Sequence, residues 1–341
     1  MNGSNKKIVS ESIAYSTILF TVKKYQNSDC TVWDAFVAQS RNGTFLFQRK
    51  FMEYHHDRFL DYSLLVYKND DLIAVVPAHQ INDSLYSHWG LTYGGLVLPL
   101  RIHISDVLGL FAAVLRYLKQ HAITALHIKE IPGFYAMGYS GELAYLMQLC
   151  QAKITRVDLL SSLDLHLPLQ LSKSRKESIR RGQKKGLIIR EEADFTSFWN
   201  TLLIPNLEKR HQTQPVHTLE EITYLQRQFP KNIRHFNVYL EGQLVAGTTV
   251  FDTGRVAHPQ YVAGDDQRSE TGALDYLYDY LITEVYRDCR VFDFGISNEN
   301  QGKNINAGLQ FWKESYGTQP VAQHFYQVDT AHFSLLDSVL V

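Results

Sequence analysis

Three stretches of the chain carry residue types suited to anion or carbonyl chemistry. In residues 264–281, GDDQRSETGALDYLYDYL, Arg268 sits on a loop, and Thr271, Gly272 and Ala273 lead into a helix. Small residues at a helix start let a phosphate approach free backbone N–H groups, and the helix dipole favours negative charge there. Arg268 can add a charge-assisted contact. Asp265, Asp266 and Glu270 oppose an anion in the same loop, so an ordinary charged helix start is the competing reading.

The second stretch is the basic run SKSRKESIRRGQKKG, residues 172–186, with Arg175, Arg180, Arg181 and Lys184. Ser174 and Glu177 have the spacing of a capping box, and Gly186 suits the position just past a helix end. Ile179 is the one large apolar residue in the run, so this helix has little to bury. Its cations either hold an acidic patch such as Glu191-Glu192 or receive an anionic ligand. The third stretch is FDFGISNENQGKNINAGLQFWKESYG, residues 292–317. Gly295, Gly302 and Gly308 around a strand end suit close approach by a ligand or another backbone. Asp293 alternates with Phe292 and Phe294 and therefore faces the opposite side of the sheet. Trp312 and Lys313 lie on the helix that follows.

The elements that must position these residues occur twice. Residues 66–78, VYKNDDLIAVVPA, align with 238–250, VYLEGQLVAGTTV, at an offset of 172. Val66, Tyr67, Leu72 and Ala74 fall on Val238, Tyr239, Leu244 and Ala246, and both segments read as strand, tight turn, strand. In each half the order then continues as strand, helix, strand, helix, strand. The first half shows a strand at 13–22, helices within 31–60, the hairpin 63–79 and a strand pair over 84–98. A helix at 104–121, a strand at 125–131, a helix at 139–150 and a strand at 153–165 complete it. The second half shows a strand at 187–190, helices at 195–212 and 218–229, the latter opening on a Thr218/Glu221 capping box, the hairpin 235–251 and a strand at 255–263. A helix at 272–287, a strand at 291–295, a helix at 307–316 and a strand at 320–328 follow. The copies differ where YGGLVLPLRIHISD in the first replaces the Arg268 loop of the second. These patterns predict an α/β chain with a first domain at 1–168, a second at 169–330 and a tail at 331–341. Ligand pockets favour such domain interfaces.

Bulk composition narrows the function classes. The 341 residues carry a formal net charge of −1, which argues against a general nucleic-acid binder and against DNA as a partner. Cys30, Cys150 and Cys289 form no CxxC pair, and the adjacent His55-His56 lacks ligand spacing, so no metal site is expected. The apolar stretch at 13–22 is too short to span a bilayer. A cytoplasmic protein is the expectation.

The order of SRKESIRRGQKKGL, EGQLVAG, HPQYVAG, RSETGALDYLYDYLI, FDFG and GLQFWKESYG resembles the FemAB-like branch of the GNAT acyltransferase superfamily. NGTFLFQRKFMEYHHDRF and YGGLVLP resemble the first domain of the same branch. The resemblance extends over roughly 30–328. It implies two tandem GNAT-like domains, each a mixed sheet flanked by helices, with the donor on the second and the acceptor side on the first. It implies transfer of an acyl group to an amine, from acetyl-CoA or another acyl-CoA in many members and from aminoacyl-tRNA in those that build peptidoglycan. No permanently bound cofactor is implied. Trp312-Lys313 matches a Phe-Lys pair of the peptidoglycan enzymes, which sets Lys313 near the transferring carbonyl. Arg268 is followed only by Gly272-Ala273, short of the usual Q/R-x-x-G-x-G/A loop. Leu98-Pro99-Leu100 stands where some peptidoglycan members carry an acidic residue, and no long coiled-coil arm is present.

The expected reaction is attack of an amine on a thioester or ester. His258, on the strand entering the donor loop, is the first choice for the base, with Tyr261 and Asp293 as substitutes and a structural histidine as the competing reading. Lys313 would offset negative charge on the developing oxyanion. Tyr54 and His55, with Arg175, Arg180 and Arg181, would receive an anionic acceptor. The sequence therefore predicts an acyl-CoA-dependent N-acyltransferase acting on an amino sugar, or on a nucleotide- or lipid-linked sugar, in cell-envelope polysaccharide synthesis. An aminoacyl-tRNA-dependent peptidoglycan ligase and a non-catalytic binding module are the alternatives.

Overall fold

The two hairpins that announce the repeat have the same register. In the computed structural model, which describes residues 20–340, β2 (Leu64–Lys68) and β3 (Asp71–Val76) pair Val66 with Ala74 and Tyr67 with Leu72. Strands β9 (Ile233–Leu240) and β10 (Gln243–Asp252) pair Val238 with Ala246 and Tyr239 with Leu244. A one-residue shift therefore falls at Ile73 in one copy and at Val245 in the other. A bulge costs a ladder bond and bends the strand, so its recurrence at one position marks a shared design. Positive φ at Asn69 in the first turn, and at Glu241 and Gly242 in the second, closes these tight connections. The first hairpin is joined by β1 (Phe20–Lys24). The part of the expected 13–22 strand before Phe20 lies outside the described residues.

The second hairpin belongs to a ten-stranded sheet that both halves share. From the first half come β4 (His79–Ile81), β5 (Ser84–Tyr86), β6 (Ala125–Lys129) and β7 (Lys153–Asp164). From the second come β8 (Ile188–Glu191), β9, β10, β11 (Val256–Gly264), β12 (Val291–Ile296) and β15 (Gln319–Asp329). A small hairpin, β13 (Asn298–Glu299) and β14 (Asn304–Ile305), stands apart. Strand β7, the last of the first half, pairs with β12 of the second, and β15, the last of the second, inserts between β6 and β7. Each half thus lends its final strand to the other.

The helices cover both faces. In the first half they are α1 (Cys30–Gln39), the single turn α2 (Arg49–Met52), α3 (Ile104–Gln120) and α4 (Glu142–Leu149). In the second they begin with α5 (Lys173–Lys184) and α6 (Thr196–Phe198), which runs through a π turn into α7 (Ile204–His211). Then come α8 (Leu219–Gln228), the turn α9 (Arg268–Thr271), α10 (Ala273–Tyr280) and α11 (Ala307–Glu314). Helix α8 begins with the Thr218/Glu221 capping box read from the sequence. Helix α5 does not begin with Ser174/Glu177: Ser172 is its cap, its hydroxyl accepting from the Arg175 N–H. Phe45 and Phe51 pack on Phe229 and Phe251, so one apolar core runs through both halves. Beyond β15, a 3-10 segment (Thr330–Leu336) returns to the first half and buries Leu336 in the core beside α3.

The copies diverge at their parallel strand pair. In the second, β11 and β12 pair only at Val256–Val291 and Ala257–Phe292, and then part. Pro259 brings no N–H to a ladder, Gln260 is bulged, and Gly295 takes φ of 71°. In the first, β5 and β6 pair over Ser84–Tyr86, and the chain then stays with β6: the Ser87 N–H donates to His127 O and the Gly94 N–H to Lys129 O. Only residues 84–86 of the expected strand pair at 84–98 form a strand. The stretch through Gly94-Gly95 instead lies along β6, where the second copy leaves a gap.

Candidate active site

His258 stands where β11 leaves β12. Its Nδ1 lies 3.0 Å from the Asp293 carbonyl oxygen and 3.2 Å from the Asp293 Oδ2 carboxylate oxygen. Both neighbours only accept, so Nδ1 carries the proton and Nε2 is left as the basic nitrogen. The side chain keeps 15% of its exposure, whereas Asp293 keeps 1%. Asp293 lies on the sheet face opposite Phe292 and Phe294, as its alternation requires. Its Oδ1 accepts from the Gly295 N–H at 2.9 Å and its Oδ2 from the Tyr135 hydroxyl at 3.2 Å. A methyl group on Gly295 would sit 3.1 Å from His258 Cε1, so the absent side chain gives the imidazole its place.

Lys313 approaches the same strand end from α11. It is buried, and its Nζ donates to Gly295 O at 3.0 Å and Ile296 O at 2.6 Å. Burial pulls its pKa down to about 8, with Asp293 working in the opposite direction. An ammonium has three donors, so one remains beyond the two carbonyls. His258, Asp293 and Lys313 thus converge on Gly295 from three elements. Tyr261 is engaged elsewhere. Its hydroxyl bonds His217, at 2.5 Å to Nδ1 and 3.1 Å to the backbone N–H, and burial raises its pKa.

Helix α11 is fixed by a buried hub. The Asp275 carboxylate on α10 pairs with Arg175, accepts from Trp312 Nε1 at 3.0 Å and accepts from the Tyr316 hydroxyl at 3.1 Å. The Arg175 Nε also donates to Ser315 Oγ, and its guanidinium lies over the Tyr316 ring. Arg175 is therefore not at the surface with the other cations of its run; it locks α5, α10 and α11 together. Arg180 and Arg181 are exposed, and Arg181 donates to Ser269 O on the Arg268 loop. The acidic pair expected to hold the run is occupied elsewhere, Glu191 by Arg234 and Glu192 by Asn237 and Tyr239.

The Arg268 loop occupies the place between β11 and α10. Arg268 Nη1 donates to Asp265 O, and the Thr271 hydroxyl is buried against Gln267 O and Arg268 O. Gly272 has φ of 72°, and a side chain there would overlap the Ser178 carbonyl of α5. A methyl on Gly182 would lie 2.7 Å from Tyr276 Cβ. With Ala273 fully buried, the small residues at the start of α10 let two helices touch.

Tyr54 and His55 lie in a row of rings at the junction of the halves. Tyr54 stacks on His55 at 4.1 Å and on His217 at 5.2 Å, and His55 reaches His88 at 5.0 Å. His55 is buried and neutral, its pKa lowered to about 4 by burial, so it is not placed at an open surface. Tyr135, Asp275 and His217 carry no spacing signal in the sequence; each acts through a contact made far along the chain. Among the described residues, no cluster of three or more His, Cys, Asp or Glu side chains is placed to hold a metal ion. No helix among them is long and apolar enough to cross a membrane.

Residues 172–304 match the family model described as an acetyltransferase (GNAT) domain. No curated protein matches the chain in sequence. Among solved structures, FemX is similar with a TM-score of 0.67 at 12% identity, covering 90% of this chain and 97% of its own. The C-terminal domain of a putative lysylphosphatidylglycerol synthetase from Agrobacterium fabrum is similar with a TM-score of 0.60 at 12% identity, covering 92% and 97%. L-PGS from Bacillus licheniformis gives 0.58 at 12% identity, covering 88% and 91%. Residues 172–304 thus carry a domain of GNAT type, and the likeness to FemX extends the fold across both halves.

Proposed function

We propose that the protein is an N-acyltransferase that moves an acyl group from acyl-CoA to an amine of an amino sugar, free or linked to a nucleotide or lipid, in cell-envelope polysaccharide synthesis. The observation that carries the reaction type is the His258–Asp293 pair, which engages Nδ1 and leaves Nε2 as the basic nitrogen where β11 and β12 part. His258 Nε2 takes a proton from the attacking amine while Asp293 steadies the imidazolium that results. The amine nitrogen bonds to the thioester carbonyl carbon, the C–S bond breaks, and the leaving thiolate takes up the proton that His258 removed from the amine. The remaining donor of Lys313 offsets charge on the tetrahedral oxygen. The exposed Arg181 donates to Ser269 O in the stretch at Arg268–Ala273, which supports an anionic donor on that side. The amine acceptor enters from the first half, and the location in the cytoplasm follows from such donors.

A second reading has a specific observation behind it. Gly272 is filled by the approach of α5, which narrows the route of a pyrophosphate to the start of α10. That favours an aminoacyl ester, carried on tRNA, as the donor; the C–O bond would then break in place of C–S. One experiment separates the readings: thiol release from acetyl-CoA over a panel of amino sugars, run beside transfer of labelled amino acid from charged tRNA. Thiol release that requires the amine supports the first reading. Label transfer alone supports the second, and neither would leave a binding module.

A further inference from the structure

We infer that Tyr135, contributed by the first half, is a positioning residue for the base of the second: its phenol shares the Asp293 carboxylate that orients His258. This rests on the acyltransferase reading above.

Tyr135 ends a short 3-10 turn, Gly133–Tyr135, just after β6. It is buried, and its hydroxyl donates to Asp293 Oδ2 across 158 residues of sequence. The turn is held from both halves. Arg255 Nε of the second half donates to Phe134 O at 3.0 Å, and the Met137 N–H donates to Arg41 O at 2.7 Å. The Tyr135 ring packs on Tyr93 at 4.4 Å, and the Tyr93 hydroxyl is already spent on Thr44 Oγ1. The phenol therefore has one partner and one direction.

The consequence is electrostatic. Asp293 Oδ2 is approached by two groups, the phenol and His258 Nδ1. A neutral donor on that oxygen stabilises the carboxylate and weakens its pull on an imidazolium. Burial and the nearby Asp293 charge keep the Tyr135 phenol protonated, so it remains a donor. The charged or titratable groups around the base are Asp293 from β12, Lys313 from α11, and Tyr93 and Tyr135 from the first half. Among the described residues, Tyr135 and His258 are the polar partners of Oδ2. Removing the phenolic oxygen leaves the imidazolium more strongly held and the base protonated to higher pH.

The test is Tyr135→Phe, which keeps the ring and removes the donor. Two readouts are followed in the full chain: the imidazole titration of His258 by NMR, assigned with His258→Gln, and the pH profile of kcat/KM from thiol release. Both midpoints are expected to rise by about half a pH unit or more. Thr44→Val disturbs the neighbouring Tyr93 hydroxyl without touching Asp293 and is expected to leave the His258 midpoint in place. An unchanged midpoint in Tyr135→Phe, or an equal shift in Thr44→Val, overturns the inference. If the wild-type protein turns over no acyl donor, the acyltransferase reading fails, while the NMR titration still decides the role of Tyr135.

Discussion

His258 has a fixed tautomer because both groups facing Nδ1 accept and neither donates. His258→Gln is expected to lower kcat/KM about a hundredfold or more, with donor binding retained, as measured by thiol release and by calorimetry. Loss of donor binding together with rate would assign His258 to binding instead. Lys313 offers a second check through pH. Its folded pKa lies near 8, below the ordinary lysine value of 10.5, because burial disfavours the charge. Below pH 8 both folded and unfolded chains hold the proton, and the burial penalty is fully present. Between pH 8 and 10.5 the unfolded chain binds more protons, so stability rises with pH. Relative to Lys313→Met, the wild-type protein should gain up to about 3 kcal/mol across that window in urea unfolding. A flat difference would show that the lysine is not buried as a cation. The carbonyls that Lys313→Met orphans do not titrate, so they leave this slope unchanged.

At the scale of elements, the basic helix does two jobs that its composition alone does not separate. Its buried side carries Arg175, Ser178, Ile179 and Gly182; its exposed side carries Arg180, Arg181 and Lys184. Arg175 and Asp275 hold α11 at the angle that brings Lys313 to Gly295. Breaking a buried ion pair from one side leaves the other charge uncompensated. Asp275→Asn should therefore cost about 3–5 kcal/mol in chemical unfolding and lower turnover more than donor affinity. A mutant with wild-type turnover would detach α11 placement from the chemistry. Alternation around Asp293, the cap at Thr218 and the two hairpins were all legible in the sequence, because each is set by residues within one or two turns of chain. The cap of α5 was misplaced by two residues since Ser172 and Ser174 offer the same chemistry, and only the path of the chain before the helix decides between them.

At the scale of the molecule, the halves are bound together by exchanged strands and by the Tyr54–His217 ring contact, which joins a row of first-half imidazoles to the second half. His55, His79 and His217 are buried and neutral, with pKa values lowered by burial to about 4, 4 and 3. As pH falls from 6.5 toward 4, the unfolded chain takes up protons that the folded chain refuses, and stability falls. His79, with neither ring nitrogen hydrogen-bonded, is the cleanest to remove. His79→Phe should lower the pH dependence of unfolding between pH 6 and 4.5 by about one proton, measured by thermal melts across that range. An unchanged slope would place the acid sensitivity elsewhere. The first half also supplies the phenol on Asp293, so the two copies meet in a buried hydrogen bond as well as in packing.

The sequence by itself determined the α/β class, the duplication, and the hairpins down to their aligned Val, Tyr, Leu and Ala residues. Those features are local: periodicity, turn chemistry and order along the chain specify them. The tertiary structure alone decided that Arg175 is internal, that Gly272 serves a helix contact, that Tyr261 is committed to His217, and that Tyr135 reaches Asp293. Each of these depends on which distant segment fills a given space. The exchange of β7 and β15 between the halves belongs with them, since a strand's sequence specifies that it will pair but not which of two similar edges it will meet.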